Sequence, residues 1–209
     1  MDYSSKKLEL WQKVGIACLL FVIAGIIGWV TEFIFYFFNG GMKELYWQGG
    51  NFLPWMNIYA IGAFLMFGLT YKFRKSPVLI FLVSLIVGGL LEYLAGFLLY
   101  RIAGLRFWDY NVEILNFGNI NGYVCLRSLL CFGCAGLFLM YVLMPFLIKL
   151  SKSIPKKVFL TISISLFSLF LIDELYNLFL YKIFNLPNAM EIYESKGCKY
   201  YEFNKWVCF

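Results

Sequence analysis

The chain is predicted to be an all-α membrane protein, a polytopic bundle of five transmembrane helices, on three observations. Hydrophobic residues make up 62% of its 209 residues and charged residues only 14%, with a mean hydropathy of +0.75, too apolar for a soluble domain of this size. Five stretches of about 18 or more residues are apolar enough to cross a bilayer. Basic residues crowd into alternate loops, as the positive-inside bias of short loops requires.

The expected spans are 14–38, 54–71, 78–100, 123–148 and 158–181. Lys6, Lys7 and Lys13 precede the first. Its apolar run is too long for a signal peptide and no small-residue cleavage site follows, so it reads as a retained anchor. The last span holds Asp173 and Glu174, but ending it before them leaves it too short to cross. Lys6, Lys7, Lys13, Lys72, Arg74, Lys75, Lys149, Lys152, Lys156 and Lys157 fall on one side, against Lys43, Arg101 and Arg106 opposite. The N-terminus is therefore expected to be cytoplasmic and the C-terminal tail, 182–209, extracellular. The basic clusters read as topology signals and contacts to anionic lipid, with no nucleic-acid role.

One acid recurs at nearly one depth: Glu32, Glu92 and Asp173, each in a different span. At 1.5 Å rise per residue, Glu32 lies roughly 9 Å below the outer end of its span, and Glu92 and Asp173 roughly 12 Å. Arg127 enters span four roughly 6 Å down, and Asn57 lies in the same layer. An ionisable residue inside a span is a functional-site hypothesis by default, and these groups are expected to converge in the outer half of the membrane. Three acids against one arginine leave surplus negative charge, which calls for protonation, a cation or water. The alternative is that each forms a satisfied interhelical pair that only fixes packing. Asp173 and Glu174 point about 100° apart on a helix, so one face is expected to take only one of them.

A weak internal repeat selects Asp173. Leu91–Ile102 matches Ile172–Ile183, acid on acid and Arg101 on Lys182, consistent with a parallel hairpin repeat. Gly28 and Gly88 each precede an acid by one turn and read first as small residues for close helix packing. In the outer loops, Trp47, Trp55, Trp108 and Tyr110 are expected as interfacial anchors. Asp109 either caps a turn or closes over the polar layer as part of a lid.

His is absent, which removes the commonest general base and metal ligand. No phosphate-cradling glycine-rich loop with Lys-Ser/Thr is present, so the chain does not hydrolyse ATP itself. The sequence calls for no cofactor and no metal, and it leans away from an enzyme. Cys131 and Cys134 have redox spacing but lie mid-span, and with Cys18 and Cys125 they read as buried packing residues. Cys198 and Cys208 in the outer tail could close a disulfide holding the tail's aromatics against the outer surface.

The series Asn57-Ile-Tyr59, Leu91-Glu92-Tyr93-Leu94, Trp108-Asp109-Tyr110, Asn119-Ile120-Asn121-Gly122 and Cys125-Leu126 to Ser128-Leu129 and Gly133 resembles the putative type IV ABC transporter permease family of bacterial membrane proteins. The resemblance covers about residues 25–149, with Asp173 similar to the acid of the family's last span. It departs from the usual pattern at Asn57, Ala60, Asn111 and Tyr123. It implies a multi-pass protein of the bacterial plasma membrane whose transport is powered by an ATPase on a separate polypeptide. The expected function is a permease or permease subunit. Its substrate or coupling ion would be bound by Glu32, Asn57, Tyr59, Glu92, Tyr93, Trp108, Asp109, Tyr110, Asn121, Arg127 and Asp173. Two alternatives stand beside it: a membrane-embedded enzyme acting on a lipid or cell-envelope intermediate, and an accessory subunit of a membrane complex. Five thin spans enclose little volume, so a homodimer or larger complex is expected.

Overall fold

Unbroken apolar runs with few helix breakers favour long helices, since in lipid every backbone polar group has to be satisfied inside the protein. The computed structural model describes residues 8–39, 46–47, 49–104, 106, 108–197 and 199–200. Among them α1 (Leu10–Asn39), α2 (Asn57–Thr70), α3 (Pro77–Ala103), α4 (Leu126–Phe138), α5 (Met144–Ser153), α6 (Lys156–Leu175), α7 (Tyr181–Phe184) and α8 (Ala189–Ser195) follow in order. Two-residue strands Tyr46–Trp47 and Lys199–Tyr200 pair in parallel. The tail cysteines, Cys198 and Cys208, lie outside the described residues, as does the side chain of Trp47.

Four helical stretches are long and apolar enough to cross a membrane: Leu10–Phe38, Pro77–Ile102, Leu126–Ser153 and Lys156–Phe184. They correspond to four of the five expected spans. The fifth, expected over 54–71, is shorter: α2 has 14 residues, about 21 Å of rise, with a tighter helical turn over Tyr71–Phe73. Residues 54–56 are missing from its start, as part of a segment 49–56 that stays non-helical. Pro54 disfavours helical backbone at Leu53, and the Trp55 N–H closes a tight turn onto the Leu53 carbonyl. The Met56 N–H then donates to the Gly25 carbonyl in the middle of α1. This segment therefore runs down inside the bundle, with Asn51 and Trp55 buried.

Two of the long helices contain a π-helical turn. In the first, Leu139–Leu143, the cause is Pro145: its ring cannot accept the Tyr141 carbonyl in an ordinary turn. In the second, Tyr176–Leu180, Asn177 turns its amide back onto the Asp173 carbonyl (2.9 Å) and carboxylate (2.8 Å) while its own oxygen accepts the Ala189 N–H.

Helix α1 is central. Antiparallel to it, α2 packs with the ring of Tyr59 where a side chain on Gly28 would lie, and Gly88 on α3 gives the same close approach to Phe132 on α4. Close packing through small residues is the role expected for both. Parallel to α1 runs α6, through Gly15 with Phe159, Phe21 with Phe167, and Gly25 with Phe170. One core gathers Ile16, Leu19, Leu20, Met66, Leu143, Leu147 and Phe159; a second gathers Val22, Trp55, Ala60 and Phe170. The outward faces of α3 and α6 expose Leu and Ile, as lipid-facing surfaces do.

The interior segment 49–56 is held by α6. Asp173 accepts the backbone N–H of Phe52 and of Leu53, both at 3.0 Å. Glu174 accepts from the amides of Asn51 (2.7 Å) and Asn57 (2.9 Å). Tyr193 on α8 donates to the Phe52 carbonyl at 2.6 Å. Both acids are buried, so adjacent residues do serve one partner: the segment curls around the helix and meets both directions. Asp173→Ala strands two part-buried N–H groups, and charge-assisted hydrogen bonds are each worth about 1.5–3 kcal/mol. Unfolding of this variant in detergent is expected at about 3 kcal/mol lower stability, with Asp173→Asn intermediate; an unchanged melting profile for both would refute this role.

Candidate functional site

The first turn of α2 carries Asn57 and Tyr59, two positions apart and so on opposite sides of the helix. Asn57 faces Glu174 on α6. Tyr59 faces α1 and donates its hydroxyl to Glu32 Oε1 at 2.8 Å. This turn divides the expected polar layer in two. Asp173 and Asn57 belong to the clasp on segment 49–56, while Glu32, Tyr59, Glu92, Tyr110 and Arg127 come together on the other side.

That second group is built from four helices and one loop. Glu92 on α3 accepts the Tyr110 hydroxyl at 2.5 Å. Ser128 on α4 lies beside the same carboxyl, with its hydroxyl 2.9 Å from the Cys125 carbonyl. Glu92 Oε2 is buried with no hydrogen-bond partner among the described residues. Arg127 on α4 donates Nη2 to Glu113 Oε2 at 2.5 Å and Nη1 to the Ile114 carbonyl at 2.9 Å. Its guanidinium lies over the rings of Phe35 (4.2 Å) and Tyr110 (5.1 Å), a favourable place for a cation. Tyr36, 8% exposed, is within electrostatic range of Glu32, Glu113, Tyr110 and Arg127. Glu32 in turn lies within range of Glu92 and Glu113.

Glu113 is the member that sequence reasoning missed. It lies in the connection between α3 and α4, where depth along a helix says nothing, yet its side chain is only 1% exposed. The available signal was an acid set among apolar neighbours, Val112-Glu113-Ile114-Leu115. Its Oε1 is buried without a hydrogen-bond partner among the described residues. Burial pushes the Glu113 carboxyl above the ordinary carboxylate range, against the Arg127 hydrogen bond and charge that draw it down. Burial and then the Glu92 charge hold the Tyr110 phenol well above its ordinary value, so it acts as a hydrogen-bond donor.

The remaining expected residues shape the connecting loop. Asp109 accepts from the Asn111 N–H (3.0 Å) and amide (2.7 Å) and pairs with Arg106 at 3.1 Å, the turn-capping role of its two expected ones. Trp108 donates to the Tyr123 carbonyl at 2.9 Å, and Asn121 donates to the Tyr93 hydroxyl at 3.2 Å. The Tyr110 N–H bonds the Gly122 carbonyl, which fixes where its ring enters the bundle. Tyr110 and Trp55 are buried at 8% and 4% exposure, so neither is an interfacial anchor: their rings fill the protein interior.

Cys125 is buried, but Cys131 and Cys134 are exposed free thiols. Their three-residue spacing turns both to the outside of α4, which corrects the expectation that they pack inside. The two acids aligned by the internal repeat have unlike partners, a phenol for Glu92 and backbone N–H groups for Asp173. A separate surface groove is lined by Tyr181, Lys182, Asn185, Leu186, Pro187 and Glu191, none of them from the Glu92 group.

Neither a curated protein nor a solved structure matches the chain. A protein family described as "Putative ABC-transporter type IV" matches residues 19–178. That stretch is well over half of the chain and takes in Glu32, Glu92, Glu113, Arg127 and the Asp173–Glu174 clasp. The chain belongs to this putative type IV ABC-transporter family, as a multi-pass membrane protein.

Proposed function

We propose that the chain is a transport permease, or the permease subunit of a larger transporter, and that Glu32, Tyr59, Glu92, Tyr110, Glu113 and Arg127 form its substrate or ion site. Family membership and four apolar helices point to a membrane transport component. The observation that carries the site is the meeting of ionisable side chains from α1, α3 and α4 with Glu113 of the connecting loop, two carboxyl oxygens being buried without a donor among the described residues. Groups retained at such cost in an apolar bundle are there to be used. A short helix that begins inside the bundle beside an interior stretch of backbone supports the same reading, since transporters place their sites at interrupted helices.

In this proposal α2, with its extension to Phe73, completes five spans. The basic turns at Lys72–Lys75 and Lys149–Lys157 face the cytoplasm and the site opens to the outer half of the bilayer. Asp173 and Asn57 contribute through the clasp that positions α2, while Tyr93, Trp108, Asp109 and Asn121 hold the loop that carries Tyr110 and Glu113. A separate ATPase would supply the energy, in the bacterial plasma membrane.

Two experiments test this. Cells expressing the protein are expected to differ from control cells in at least one accumulated or exported metabolite by untargeted mass spectrometry. Glu92→Gln and Arg127→Ala, inserted at normal levels, should abolish that difference; full retention in both rejects the site. For the topology, a single cysteine at Lys75 should react with an impermeant maleimide only after the cells are opened, and one at Asn111 in intact cells. The reverse pattern, Lys75 reacting in intact cells and Asn111 only after opening, is what a chain whose α2 does not cross would give, and it would refute the five-span arrangement, as would labelling of both from the same side.

A further inference from the structure

We infer that the site proposed above takes an organic cation carrying N–H donors, a primary ammonium group, seated between Glu92 and Glu113. This rests on the site reading of the preceding section and adds the ligand's chemistry. The acceptors come first: Glu92 Oε2 and Glu113 Oε1 are both buried with no hydrogen-bond partner among the described residues, and the Glu113 side chain is 1% exposed. A buried carboxylate oxygen without a donor is costly, so a ligand that brings N–H groups gains what the protein itself does not supply.

An anion fits poorly. The Arg127 charge is already met by Glu113, the Tyr59 and Tyr110 hydroxyls donate to Glu32 and Glu92, and the unmet groups are carboxyl oxygens, which repel an anion. A metal ion fits poorly as well, since no three acid or cysteine side chains among the described residues are placed to hold one. An ammonium group needs only separate acceptors, which the two unmet carboxyl oxygens are.

The test is calorimetric titration of the purified full-length protein in detergent with n-butylammonium chloride, beside tetramethylammonium, potassium, calcium and acetate. Saturable butylammonium binding is expected, with tetramethylammonium at least about tenfold weaker because it has no N–H to give. Glu92→Gln, in which Tyr110 keeps an acceptor, should weaken butylammonium by about tenfold or more; Glu113→Gln is the second variant should the first fail to fold. No saturable butylammonium binding, binding unchanged in the variant, or preference for calcium, potassium or acetate overturns the proposal. If ammonium fails to bind while Glu92→Gln and Arg127→Ala still lose transport, the ligand class is wrong and the site reading stands. If transport survives in both, the site reading falls and this inference with it.

Discussion

Arg127 is the base around which the polar interior closes. A guanidinium held away from water is tolerable only when its donors and charge are met, and here the partner comes from outside the helices. Glu113 reaches in from the α3–α4 connection and the Ile114 carbonyl follows it. The pair therefore ties the loop to the bundle. Tyr110 rides on the same loop and delivers its hydroxyl to Glu92; without that anchor Glu92 would be left without its phenol donor. The arginine also needs the aromatic face of Phe35 on α1, so one side chain couples α1, α4 and the loop.

The second constraint is backbone at depth. Segment 49–56 carries peptide groups into the bundle, where irregular chain survives only if protein satisfies it. Asp173 takes the Phe52 and Leu53 N–H groups, Tyr193 donates to the Phe52 carbonyl and the Gly25 carbonyl accepts the Met56 N–H, while Glu174 holds the side chains of Asn51 and Asn57. Their work sets where α2 begins, hence which way Tyr59 points and whether Glu32 has a donor. The two polar groups thus depend on one another through a single helical turn, one side of it structural and the other facing the proposed ligand.

Much of this was legible in the chain, for identifiable reasons. Apolar length located four long helices because the cost of exposed peptide groups in lipid leaves no other choice. Depth counting placed Glu32, Glu92 and Arg127 near one level because helical rise is fixed. It does not fix rotation about the axis, so Asp173, at the same depth, meets the Phe52 and Leu53 backbone instead of Glu92. α2 begins at Asn57, later than expected, because an apolar composition does not reveal that Pro54 and the Asp173 carboxylate hold residues 49–56 in a non-helical path. Glu113 lies in a loop, whose path depends on tertiary contacts such as the Tyr110–Gly122 bond, and no periodicity reports it. The π-helical turn before Pro145 was readable in principle from the proline alone.

The most direct test of the central claim is a double-mutant cycle on Arg127 and Glu113, using Arg127→Ala, Glu113→Ala and the pair, with unfolding free energies measured in the same detergent. Because each single change strands the other charge, the double variant is expected to be less destabilised than the sum of the singles by at least about 1 kcal/mol. Additivity within about 0.5 kcal/mol would contradict the account, since it would mean that the two groups do not hold loop and bundle together.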